Sequence, residues 1–487
     1  MTECIPSPFA FQDLGSRTVQ ADFDGGRITS DAGALLLRDV DSHFGFLDQF
    51  AACFTDHRDP DRTEHALVTL LKQRVFGLCL GYEDLNDHDR LRHDPLIATL
   101  VGVADPLGEH RTRAADRGKA LAGKSTLNRL ELTPVGADDD SRYKKIVAHM
   151  GRIEHYFPEM FVRQQTAPPK RIVLDLDSTD DPIHGQQLGR FFHGYYGHYC
   201  YLPLYIFAGD HPLAAILRPS NIDASAGCLP HLERIVGRLR QAWPQVEIVL
   251  RGDSGFCRNY LMRWCEANRV HFIFGLAKNK RLLKIVGKEL HDAKELFAQT
   301  KQPARVFKDF EYRTQKSWSR PRRVVAKAEH IAGDKSNPRF VVTSLGADAF
   351  DARTLYEEQY CARGEMENRI KEQQLYLFAD HLCCETMRAN QLRLYFSTVA
   401  YVVMRSLREF GLQGTAMESA QCDTIRVRLF KIGGVVRVSV RRVVVAMSEA
   451  YPWREVFAAV WANLRRLFEP RPVSEPSAPA ATPSGTG

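Results

Sequence analysis

Carboxylates occupy three places in this chain where a plain solvated surface has no need of them. In the run RIVLDLDSTDD, Asp175 and Asp177 stand two apart at the end of a β-branched, apolar stretch. That stretch predicts a strand, so both side chains project to the same side of it. Turn chemistry accounts for Asp180 and Asp181, which follow the strand. It accounts poorly for Asp175, which lies inside the apolar run. In VLRGDSGF a second predicted strand runs straight into Gly-Asp-Ser-Gly and sets Asp253 at its C-terminal end. Ligand sites of open α/β sheets gather at such ends, although a tight turn with an Asx hydrogen bond is the plain alternative. The third place is YCARGEMENRIKEQQ, Tyr360 to Gln374, a helical stretch crowded with charge. At roughly 100° per residue, Tyr360, Arg363, Glu367, Lys371 and Gln374 fall in one narrow polar stripe, and Glu365 falls on another side. Glu367 between Arg363 and Lys371 also reads as a surface ion pair, worth roughly a few tenths of a kcal/mol.

Two strand-end aspartates and one helical glutamate make an oxygen-only donor set. That chemistry suits Mg²⁺, which takes carboxylates, water and phosphate oxygens. Two such ions about 4 Å apart activate a nucleophile and stabilise the leaving oxygen of a phosphodiester. Charge distribution points the same way. The whole chain carries +7, but Lys278 to Arg339 alone holds 17 Lys and Arg against 7 Asp and Glu, a net of +10. Phe307, Phe310, Tyr312 and Trp318 are interleaved with that charge, the pattern of a nucleic-acid surface rather than a merely solvated face. A carboxylate triad with a basic segment between its members suggests phosphoryl transfer on nucleic acid.

The elements that must hold these groups follow from periodicity. Residues 1–168 read as mostly helical, with a hairpin in the first 30, a cap signal at Ser30/Asp31, and Ser125 or Thr126 as N-cap of a short basic helix in GKSTLNRLEL. From Arg171 strands and helices alternate, which argues for an α/β domain with a mixed sheet over 169–410. Extra strands in a β-rich insertion, about 278–345, interrupt it, and a long helix begins near Asp351. Over 411–470 a small α+β region is expected. In it TIRVRLFKIGGVVRVSVRR predicts two strands about a Gly433-Gly434 turn, with Ile425, Val427 and Leu429 on one face. Arg426 and Arg428 would lie on the other with Arg437 and Arg441, and a helix from Pro452 to Phe468 follows. The Pro- and Ser-rich tail, 471–487, is expected to be disordered. A length of 487 residues fits two to four domains, and 44% hydrophobic with 26% charged residues is ordinary for a globular chain. Its 11 cysteines, from Cys4 onward, form no C-x-x-C pair, so zinc and redox motifs are not supported and reduced, intracellular thiols are expected. The start has no signal-peptide order, and LYFSTVAYVVM is too short to span a bilayer, so the run predicts a buried helix and the protein a cytoplasmic location.

The three acidic motifs in order resemble the DDE transposases of bacterial insertion sequences, in the branch with a Tyr-x2-Arg-x3-Glu-x6-Lys signature. YCARGEME supplies Tyr360, Arg363 and Glu367 at the family spacing, DLDSTDD resembles the first-aspartate motif, and LRGDSGF the second. ITSDAGALLLR, STLNRLE and RGEMENRIKE resemble one subfamily. The resemblance spans nearly the whole chain apart from the tail. It implies a ribonuclease-H-like mixed-sheet core and a DNA-binding N-terminal domain. It implies Asp177, Asp253 and Glu367 as catalytic ligands of two Mg²⁺ ions, with Mn²⁺ as a substitute. The Asp-Ser-Thr pattern selects Asp177, with Asp175 as the fallback. Tyr360 and Arg363 are implied to contact backbone phosphate. The family lysine falls at Gln374, so Lys371, one turn earlier, is the substitute. Trp318 is a candidate for stacking on a flipped base, with a packed Trp as the alternative. The implied partners are double-stranded DNA, namely the terminal inverted repeats and the target, and a second copy of the chain, with no membrane. The implied activity is cut-and-paste transposition. A nuclease that cuts without joining, and an inactive DNA-binding repressor, are the rival readings.

Overall fold

In the computed structural model, which describes residues 8–333 and 335–469, the strand-forming runs between 171 and 343 assemble into one nine-stranded mixed sheet. Cys4 and the tail 471–487 lie outside the described residues. The principal strands are β1 (Arg171–Ser178), β2 (Leu204–Ala208), β3 (His211–Ile216), β4 (Glu247–Gly252), β5 (His271–Leu276), β6 (Ala304–Tyr312), β7 (Arg322–Ile331) and β8 (Arg339–Thr343). Their spatial order is β3-β2-β1-β4-β5-β8-β7-β6, and the two-residue strand Lys335–Ser336 pairs with β7. Pairing is antiparallel across β3, β2 and β1, parallel from β1 through β4 to β5, and antiparallel again from β5 outward. The extra strands of the insertion therefore extend the same sheet. They are preceded by two helices, Lys280–Ile285 and Gly287–Thr300, that strand periodicity alone did not predict.

Period-2 alternation decides what each face of β1 carries. Ile172, Leu174 and Leu176 turn into an apolar core with the helices Cys228–Ala242 and Asn259–Ala267. Val173, Asp175 and Asp177 turn to the other side. On that side the sheet meets α1 (Gly364–Leu377) and α2 (Met387–Ser406). Nearly every residue of α2 is buried, so LYFSTVAYVVM is an interior helix. Among the described residues no helix is long and apolar enough to cross a membrane. The core around α2 is continuous: Leu36, Phe50 and Phe76 from the N-terminal helices pack with Phe396 and Tyr401 of α2, Phe207 of β2, and Val460 and Leu464 of the last helix.

Two local expectations are corrected. Ser125 and Thr126 do not cap the helix Lys124–Glu131, which starts from Gly123. Asp89 accepts from the backbone N–H of Lys124 at 3.0 Å, so a carboxylate from elsewhere in the chain serves the helix start. The segment expected as the first C-terminal strand is instead helical, Cys422–Ile425 running into a wider π-helical turn at Arg426–Phe430. Ile425, Leu429 and Phe430 are buried, while Val427 is 65% exposed. Arg426 does not sit on a basic ribbon; it donates to the carbonyls of Leu78, Cys79 and Tyr376, at the C-terminal ends of two helices. The hairpin that does form joins Gly434–Val438 to Val443–Met447, with Ile28–Thr29 as a third strand.

Candidate active site

Of the two aspartates on β1, Asp175 is taken up within the sheet. Its register partner on the parallel neighbour β4 is Arg251, whose Nε and Nη2 donate to the two carboxylate oxygens at 2.5 and 2.7 Å. Burial still pushes the Asp175 carboxyl above its usual range, with Arg251 opposing. Asp177, two residues on, lies at the open end of the strand and lines a cleft of about 420 Å³. Asp253 enters the same cleft from the turn after β4, where its Oδ1 accepts from the backbone N–H of Gly255 at 2.8 Å. A β-carbon on Gly275 of β5 would stand 2.6 Å from the Tyr360 hydroxyl and 3.0 Å from the Ser254 nitrogen. Glycine there lets the Tyr360 ring close over the Asp253 turn.

The helix bearing the third acid is not uniform. Asp351 caps it by accepting from Arg353 and Thr354 backbone N–H groups. The chain then widens into π geometry over Leu355–Tyr360, tightens over Cys361–Arg363, and becomes regular in α1. The uniform 100° step therefore breaks between Tyr360 and Arg363, and Tyr360 reaches the β5 side rather than continuing the stripe. Irregular turns of this kind recur at functional sites. From Arg363 onward the stripe holds: Arg363, Glu367, Lys371 and Gln374 all line the cleft, and the exposed Glu365 does not. The opposite side of α1 is anchored by Glu372, 1% exposed, which accepts from both Nη atoms of Arg408 and from the Cys422 N–H.

Charge in the cleft is arranged around Arg363. Its Nη2 donates to Glu367 Oε1 at 2.6 Å and its Nη1 stands 3.7 Å from Asp177 Oδ1, so one guanidinium bridges two carboxylates. Asp177 is pushed up to about 6, first by burial and then by Asp253 and Glu367, with Arg363 opposing. Such like-charge crowding is relieved by a cation, and the donors are all hard oxygens, the chemistry that suits a divalent ion of the Mg²⁺ type. Among the described residues no three His, Cys, Asp or Glu side chains are drawn together as tightly as a bound ion requires.

Two sequence expectations look different in three dimensions. Trp318 is not at the cleft; it is 4% exposed, edge-on to Tyr312 at 5.7 Å and capped by Arg322. Gln374, where a lysine was expected, donates to Asp181 Oδ1 at 2.7 Å and to the Asp180 carbonyl at 3.2 Å, tying α1 to the chain after β1. Much of the basic excess of the insertion is matched internally, as in Arg322 with Glu266, Arg323 with Asp309 and Arg305 with Glu329. Other residues at the site gave no signal of their own in the sequence. Arg218, 6% exposed, donates to Ser178 Oγ and to the carbonyls of Leu202, Ala224 and Ala226, and so braces the strand end that carries Asp177. His193, Tyr195 and Tyr196 form a wall of the cleft. The aromatic density of FFHGYYGHY is the one feature of the sequence that could have found them.

A family model described as Transposase DDE domain group 1 matches residues 11–469. No curated protein matches the chain. Among solved structures, a piggyBac transposase synaptic complex with hairpin DNA is similar at 11% identity and a TM-score of 0.38, over 92% of this chain and 84% of that one.

Proposed function

Because the chain belongs to the family of transposase DDE domains, we propose that it cuts double-stranded DNA at the ends of a mobile element and joins the freed 3′ ends to target DNA. One observation carries this reading: Asp177, Asp253 and Glu367 come from three elements far apart in sequence and line one cleft with Arg363 between them. The strand order, three antiparallel and then two parallel, supports a ribonuclease-H-like core. We read the chain as one of the bacterial insertion-sequence branch, acting in the cytoplasm as a dimer that holds two inverted-repeat ends.

Asp177, Asp253 and Glu367 are the residues that would hold two Mg²⁺ ions, or Mn²⁺ in their place. When bound, the ions supply charge stabilisation to the attacking and leaving oxygens of the phosphodiester. Arg363 then turns from the carboxylates to a phosphate oxygen, where its planar fork suits bidentate contact. Lys371, exposed at the cleft rim, adds a second phosphate contact. Tyr360 positions the Asp253 turn from the β5 side. In successive steps water attacks the element end to free a 3′-hydroxyl, and that hydroxyl attacks the target.

The test is incubation of the full chain with Mg²⁺, element-end DNA and a target plasmid. Cut ends and joined products are expected. Asp177→Ala, Asp253→Ala and Glu367→Ala should each abolish both while leaving DNA binding intact. Cutting without joining would reduce the reading to a nuclease, and a fully active Glu367→Ala protein would overturn it.

A further inference from the structure

Between β1 and β2 the chain makes an excursion with a dense and exposed aromatic sequence, FFHGYYGHYCY. Phe191–His193 pairs antiparallel with His198–Tyr201, and the tip that joins them is Gly194-Tyr195-Tyr196-Gly197. Gly197 adopts φ +78°, and its N–H closes the tip on the His193 carbonyl at 2.8 Å. The two tyrosines of the tip differ. Tyr196 is held, with its hydroxyl 3.4 Å from the Ser178 carbonyl at the end of β1. Tyr195 stands edge-on to Tyr196 at 5.0 Å and is 86% exposed. On the strands of the hairpin Phe192 and Tyr199 are direct cross-strand partners, 57% and 47% exposed, and the Arg190 guanidinium lies 4.4 Å over the Tyr199 ring.

Solvent-facing aromatics at this density mark a binding surface. This one is continuous with the carboxylate cleft, since Tyr195 lines the same cavity as Asp177, Asp253 and Glu367. Its charged neighbours are Arg190 and, at the cleft, Arg363 and Lys371, which favours a polyanion. A strand of DNA laid through the cleft carries flat bases next to the phosphate being cut. Every base has a face that stacks on an aromatic ring, with little regard to sequence. We propose that Tyr195, set edge-on to the held Tyr196, is a stacking platform for an unpaired base beside the scissile phosphate, so that the enzyme prefers DNA that is splayed at the cut. This rests on the DNA-cleaving reading given above. It moves the stacking role from Trp318, whose faces are covered, to a hairpin on the opposite flank of the site.

The experiment uses the full chain in EDTA, so that binding is read without cleavage. Two element-end duplexes are compared, one blunt and one with a short single-stranded overhang at the cut that carries 2-aminopurine. Wild-type protein should bind the overhang DNA more tightly and quench the 2-aminopurine. Tyr195→Ala should lower affinity for the overhang DNA by about 5- to 150-fold and abolish the quench, with blunt-duplex affinity unchanged. Tyr195→Phe should restore both. The inference is overturned if Tyr195→Ala leaves overhang affinity intact, or weakens both duplexes equally. It is also overturned if Tyr195→Ala changes only the monomer–dimer balance, which would make the hairpin a contact between copies. Parallel cleavage assays with Asp253→Ala keep the two readings apart. A wild-type protein that cuts in an Asp253-dependent way but shows no overhang preference sinks only the platform, and a wild-type protein that shows the preference but does not cut sinks only the catalytic reading.

Discussion

Glu367 and Glu372 are five residues apart on one helix, and replacing each by alanine should give opposite results. Glu372 is 1% exposed and its two oxygens accept from Arg408 at 2.9 and 3.2 Å and from the Cys422 N–H at 2.8 Å. Glu372→Ala leaves Arg408, itself 8% exposed, as a buried charge without its partner. Breaking a buried pair from one side costs about 3–5 kcal/mol. Losing the acceptor of the Cys422 N–H adds about 1 kcal/mol. Glu367, by contrast, is partly exposed, and its charge partners are Arg363 four residues earlier and the ions it would bind. An exposed pair at that spacing is worth about 0.3–0.5 kcal/mol. In EDTA, urea unfolding should show Glu367→Ala within about 0.5 kcal/mol of wild type and Glu372→Ala shifted down by on the order of 1 M urea. Cleavage of element-end DNA with Mg²⁺ should be absent for Glu367→Ala. It should persist, at a temperature where the protein is folded, for Glu372→Ala. Equal destabilisation by the two substitutions, or a Glu372→Ala protein as stable as wild type, would refute the division of labour between the two faces of α1.

Other consequences are open to simpler measurements. Lys371→Ala should weaken binding to DNA of any sequence and lower the slope of log affinity against log salt by about 1. His211 is pushed down to about 3, first by burial and then by Arg405, with Asp210 opposing. Its folded pKa lies below the unfolded 6.5, so the unfolded chain binds the extra proton and stability falls as pH drops from about 6.5 toward 3. His211→Phe should flatten that loss by up to about 1.4 kcal/mol per pH unit, read from unfolding midpoints at pH 7, 6 and 5 (conditions spaced about one unit apart). A β-carbon on Gly33 would stand 1.7 Å from the Leu429 carbonyl oxygen, so backbone must move, and Gly33→Ala should lower the unfolding midpoint strongly. Gly275→Ala should keep the fold but displace Tyr360, with a fall in cleavage larger than the fall in DNA affinity.

What the sequence by itself determined is what neighbouring residues decide among themselves. β-branched runs and helical spacing located the principal strands of 171–343, the helices between 228 and 267, and the interior helix through LYFSTVAYVVM, but not the two helices between 280 and 300. The same spacing put Arg363, Glu367, Lys371 and Gln374 on one stripe apart from Glu365, because a regular helix repeats over a few residues. The tertiary structure decided whatever depends on a partner far along the chain. Asp175 and Asp177 are equivalent by period, and only Arg251 on the parallel neighbour strand takes one of them. TIRVRLF alternates like a strand, but the carbonyls of Leu78, Cys79 and Tyr376 that Arg426 meets, and the close approach of the Leu429 carbonyl to Gly33, hold it as a helix. Trp318 was legible as an aromatic among charges and proved to be interior, because Tyr312 and Arg322 close over it. Tyr195 was not singled out from the sequence, where it is one aromatic among many in FFHGYYGHY. Its exposure beside the carboxylates follows from the hairpin that lifts it there.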